Sequence, residues 1–177
     1  MKNPVESLLK DDHALLGQLL TELDAELSKH NSARAFELLD LLWARLAVHI
    51  RAENLHLFPA LANAAPSLFT GKGSLPTSDE AHSILLRLRS DHEFFMKELA
   101  LMITAMREIG RNQSVNLEDL QVLWQRLIVV RKRLETHNRL EEERAYKWPS
   151  LLFDANMIAE LCDRLRHELE NLPPRFG

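Results

Sequence analysis

The chain has 177 residues, 46% apolar and 27% charged, with a net charge of -4 and Lys and Arg spread along it rather than massed. This argues against a nucleic-acid-binding surface, and no apolar run approaches the roughly 20 residues of a membrane span. The N-terminus lacks an apolar leader and Cys162 stands alone, so the expectation is a cytoplasmic protein without intrachain disulfides, binding neither nucleic acid nor membrane.

The first stripe, His13, Leu16, Leu20, Leu23 and Leu27, alternates spacings of three and four, which predicts a helix ending near His30, with Asn31-Ser32 able to cap the next. The second runs Leu39, Leu42, Leu46, His49, Glu53, His56 and Ala60, and stops in a loop over residues 63–76. Ser78 or Asp79 is expected to cap the third helix, with its stripe Leu85, Leu88, His92, Phe95, Leu99, Met102, Met106 and Ile109. A turn over residues 110–116, with Asn116 as cap, leads to Leu120, Leu123, Leu127, Val130, Leu134, His137 and Glu141. A last helix, about residues 154–172, carries Ile158, Cys162, Leu165 and Leu169 on one face. Nothing splits the chain (1–177) into two domains. The expected fold is all-α: an up-down-up-down antiparallel four-helix bundle over about residues 5–152, plus a C-terminal helix. That helix's single stripe suits either closing the bundle or a homodimer face.

Six polar residues lie on these apolar stripes: His13, His49, Glu53, His92, His137 and Glu141. Two pairs repeat one spacing, His49-x-x-x-Glu53 and His137-x-x-x-Glu141, and residues i and i+4 share a helix face. Buried charges are rare unless paired or bound to metal. Their depths also agree. His13 and His49 each stand 18 residues from the first turn, Glu53 and His92 stand 11 and 13 from the second loop, and His92 and His137 stand 19 and 20 from the third. At 1.5 Å per residue such mismatches amount to about 3 Å, so all six are expected in one layer.

Four imidazoles and two carboxylates exceed one ion and match two. In the simplest assignment Glu53 and Glu141 bridge, each ion takes two histidines, and positions stay open for a bridging oxo or hydroxo group and a small ligand. Nitrogen and oxygen donors without thiolate suit iron, ahead of manganese or zinc.

On these residues the chain resembles the hemerythrin-like family, the HHE cation-binding domain. That family's pattern is filled here by Asp12-His13, by His49 and Glu53 before Leu57-Phe58-Pro59, by Asp91-His92, and by His137 with Glu141. The resemblance covers about residues 5–152. It implies a non-haem centre of two iron ions, used across the family for O2 binding, redox or NO sensing, iron handling, or repair of damaged iron centres. Two departures matter. Glu141 stands eight residues before Pro149, whereas Glu53 stands six before Pro59. Aligned on the prolines, Glu143 and Arg139 would match Glu53 and His49; the apolar stripe favours His137 and Glu141. Glu142 sits where invertebrate oxygen-carrying hemerythrins place a bridging Asp, which makes it a reserve ligand. The third helix lacks those carriers' fifth histidine, which favours a sensor or redox protein over a plain oxygen carrier.

Other residues weigh less. Glu53-x-x-His56 also matches a ferritin-type spacing, so His56 is a second reserve ligand, but position 134 is Leu and no partner motif exists on the fourth helix. His82 lies about 15 Å from His92 along one helix and cannot share its layer. His30 and His167 are expected in solvent, and Trp43, Trp124 and Trp148 as core anchors. The leading reading is a di-iron protein that binds or senses a diatomic or peroxide ligand. The alternatives are a ferritin-like di-iron oxidase or peroxidase, and a metal-responsive interaction module; whether the chain is an enzyme stays open.

Overall fold

The computed structural model describes residues 3–111 and 117–176. Helix α1 (Pro4–Ser28) starts where Asn3 Oδ1 accepts from the amides of Val5 and Glu6, with Pro4 in the first turn, where a missing N–H costs nothing. It ends two residues before His30, whose positive φ of 58° turns the chain into α2 (Ser32–Ala52), capped by Asn31. From α2 the backbone continues through a π turn, Glu53–Leu57, into α3 (Phe58–Ala62). The loop after it holds a short 3-10 turn, Pro66–Leu68, and one antiparallel bridge between Thr70 and Thr77.

Helix α4 (Ser78–Arg111) is capped by Thr77, not by Ser78 or Asp79. Thr77 Oγ1 accepts from the Glu80 amide at 3.2 Å while Glu80 Oε2 accepts from the Thr77 amide at 2.9 Å, a reciprocal box. Gly110 and Arg111 are still helical; the rest of the expected turn, with the Asn116 cap, lies outside the described residues. Helix α5 (Leu117–Glu143) runs into a 3-10 turn (Ala145–Lys147) and a short α6 (Pro149–Leu152). Asp154 caps α7 (Ala155–Leu169), which ends short of residue 172.

Helix α1 packs on α2 and α5, α2 on α4, and α4 on α5, so four long helices close a ring. Helix α7 lies against α1 and α2 with Leu161, Cys162 and Leu165 buried. Trp148 is fully buried, whereas Trp43 and Trp124 are half-buried at the edge of the core. Among the described residues two apolar clusters form. One joins residues from Leu16, Leu46, Phe95 and Leu134 away from the N-terminus; the other joins Leu9, Ala52, Leu88 and Tyr146. On α1, α4 and α5 the inward polar residues fall between these clusters, and on the second helix His49 and Glu53 flank the step from Ile50 of one cluster to Ala52 of the other, so the polar layer has hydrocarbon on both sides.

Candidate metal centre

The six stripe residues meet in that layer, with exposures from 0% for Glu53 and Glu141 to 6% for His13. The four imidazoles turn Nε2 inward: His13 and His49 Nε2 are 3.2 Å apart, as are His92 and His137 Nε2. Glu141 stands between the pairs, with Oε2 3.3 Å from His13 and Oε1 3.0 Å from His137. Glu53 Oε2 is 3.2 Å from His92 and 3.5 Å from His49. Two compact donor groups result: Glu53, His92, His137 and Glu141; and His13, His49 and Glu141.

Each outward Nδ1 meets an oxygen. His49 Nδ1 donates to Asp12 Oδ2 at 2.9 Å, and Asp12 Oδ1 accepts from Arg45 at 3.0 Å. The second half repeats this: His137 Nδ1 faces Asp91 Oδ2 at 3.3 Å, and Asp91 Oδ1 accepts from Arg133 at 2.7 Å. His13 Nδ1 donates to Glu142 at 2.9 Å, and His92 Nδ1 approaches the Asn54 amide oxygen at 3.4 Å. Oxygen partners at Nδ1 fix the tautomer and leave a lone pair on every Nε2. Ring packing holds the planes: His92 stacks on Phe58 at 5.5 Å, and Phe95 meets His137 edge-on at 5.2 Å.

Four lone pairs and two carboxylates thus face one another in a closed space. Glu53 Oε2 and Glu141 Oε1, both buried, have no hydrogen-bond donor among the described residues. Such a cluster needs positive charge, and protons can supply it. Burial opposes charging His137, but the field of Glu141 outweighs it and lifts the imidazole to about 10. His13 and His92 are raised against the same burial by Glu141, with Glu53 assisting. Burial also works against ionising Glu141, yet its histidine neighbours, His137 first, hold it well below the usual carboxylate range. Asp12 and Asp91 are likewise lowered despite burial, by their histidine and arginine partners. A metal ion is the other way to meet this demand. Donors around an ion at about 2.1 Å stand about 3 Å apart, the spacing found here, so the residues present fit a metal.

The two reserve ligands lie elsewhere. Glu142 braces His13 from outside the layer, and His56 Nε2 faces Glu168 of α7 at 3.9 Å. His30, His82 and His167 are exposed.

One residue escaped the sequence reading. Tyr146, fully buried, directs its hydroxyl into the centre, where it donates to Glu53 Oε1 at 2.7 Å and lies 3.0 Å from Glu141 Oε2 and His13 Nε2. Burial first, then Glu141 and Glu53, pushes its phenol well above the ordinary tyrosine range. The signal was present: Tyr146 follows Glu141 by five residues, as Phe58 follows Glu53, and Arg45 and Arg133 each precede a motif histidine by four.

Comparisons with curated proteins and with solved structures returned no match. The family model described as the hemerythrin HHE cation-binding domain matches residues 5–148. With that span and the buried histidine and glutamate layer, the chain belongs to the hemerythrin HHE cation-binding family.

Proposed function

We propose that this chain is a non-haem di-iron protein that binds or senses a small ligand (O2, NO or peroxide) in the core of an antiparallel, up-down-up-down bundle. The observation that carries the reading is the pair of donor groups sharing Glu141, built from imidazole and carboxylate alone. His92, His137 and Glu53 would hold one ion, His13 and His49 the other, and Glu141 would touch both. This donor set favours iron, which when bound supplies one-electron cycling and an open position for a diatomic molecule.

The chain's own residues do the rest. Asp12 with Arg45, and Asp91 with Arg133, hold the imidazoles in one tautomer and orientation. The flanking apolar clusters keep bulk water and larger molecules out, since none of the six donors is more than 6% exposed. That enclosure selects ligands of a few atoms and favours sensing or storage over turnover of a bulky substrate.

Metal analysis of protein loaded with ferrous iron, followed by visible spectra before and after O2 or NO, tests the reading. About two irons per chain with a spectral response supports it. One tightly held zinc, with no response, overturns it.

A further inference from the structure

Five residues after the glutamate each half of the centre presents an aromatic ring, and the two rings differ: Phe58 in the first and Tyr146 in the second. Both rings lie against a histidine of the layer, Phe58 on His92 at 5.5 Å and Tyr146 beside His13 at 5.4 Å. At this position the second half adds one hydroxyl. It is carried by the 3-10 turn that follows α5, Ala145–Lys147, in which Tyr146 is buried with its hydroxyl on Glu53.

The donor groups are unequal in the complementary sense. The His92 side has four donors, while the His13 side has three: His13, His49 and Glu141. The Tyr146 oxygen is 3.0 Å from His13 Nε2, 3.4 Å from His49 Nε2 and 3.0 Å from Glu141 Oε2. It stands as near to these three as they stand to one another. Together with Glu53 Oε1 at 2.7 Å, four acceptors surround a group with one hydrogen, which can satisfy only one of them.

From this juxtaposition we infer that Tyr146 is a metal ligand, its phenolate oxygen serving as the fourth donor on the His13–His49–Glu141 side. The inference deepens the di-iron reading and rests on it. On ligation the phenol O–H bond breaks, an oxygen–metal bond forms and the proton passes to buffer; no electron is transferred. A charged oxygen donor favours the ferric state, so the two metal positions become chemically distinct: one held by nitrogen and carboxylate, the other also by phenolate.

Tyr146 is the chain's only tyrosine, so any tyrosinate signal has a single source. The test is the visible and resonance Raman spectrum of the wild-type protein loaded with iron and oxidised, beside Tyr146→Phe. The expected result is a broad phenolate-to-iron charge-transfer band with enhanced tyrosine ring modes in the wild type, wholly lost in the variant. Phe58 fills the matching position, and circular dichroism checks that the variant folds. Two ferric ions bound without the band would overturn the tyrosine ligand and leave the di-iron reading standing. An identical spectrum in Tyr146→Phe would do the same. A protein that binds no iron would overturn both, and the wild-type Raman spectrum decides even if the variant does not fold.

Discussion

Every imidazole of the layer is used at both nitrogens, and that double use sets what single substitutions should do. Asp91→Asn keeps the shape but replaces the anion that receives His137 Nδ1–H and the Arg133 guanidinium. Loss of such a brace weakens metal binding about 10- to 100-fold. Titration with a competing chelator should show that loss for Asp91→Asn and for Asp12→Asn; unchanged affinity in both would mean the braces do not orient the ligands. The two glutamates should behave unequally. Glu141 belongs to both donor groups, whereas Glu53 belongs to one and otherwise accepts from Tyr146. Glu141→Ala should therefore leave almost no iron, Glu53→Ala about half of the wild-type content, and His82→Ala, an exposed change, all of it. Loss of iron in His82→Ala would refute the assignment of one layer.

At the scale of the element, the centre is one helical device used twice. Arg45-x-x-x-His49-x-x-x-Glu53 and Arg133-x-x-x-His137-x-x-x-Glu141 each place a guanidinium, an imidazole and a carboxylate along one helix stripe. That these six side chains share one buried layer was legible because period 3.6 fixes which side chains turn inward and rise per residue fixes their depth. For Tyr146 only its spacing from Glu141 was legible, and not its direction, because it sits beyond the end of α5 in a 3-10 turn that no helical period specifies. The π turn after Glu53 was hidden for a similar reason, since one continuous stripe ran across it. The cap of α4 stands one or two residues before the expected Ser78 or Asp79, because three hydroxyl or acidic side chains, Thr77, Ser78 and Asp79, compete there. Only the reciprocal bond to Glu80 selects Thr77. Thr77→Ala should thus cost about 1 kcal/mol in denaturant unfolding and leave iron binding intact. Equal loss from Ser78→Ala would reassign the cap.

At the scale of the molecule, a layer of buried donors separates two apolar clusters, and the layer must be filled by protons or by metal. This gives the stability of the metal-free protein a definite pH dependence. The folded chain holds His137 protonated to about 10, whereas an unfolded histidine releases its proton near 6.5. Between those values the native state binds more protons than the unfolded state, so stability falls as pH rises. The contribution is fully present below pH about 6.5 and gone above pH about 10, with a slope of up to roughly 1.4 kcal/mol per pH unit for one such group. His13 and His92, raised in the same direction, add to the loss. Urea unfolding of chelator-treated protein should therefore give a lower midpoint at pH 9.5 than at pH 7. Loading with metal should remove most of that slope, because a ligating imidazole is neutral and the ion replaces its proton. Metal addition at pH 8 should release protons, measurable with a weakly buffered indicator. A metal-free midpoint that rises between pH 7 and pH 9.5 would show that the buried carboxylates do not hold the histidines charged.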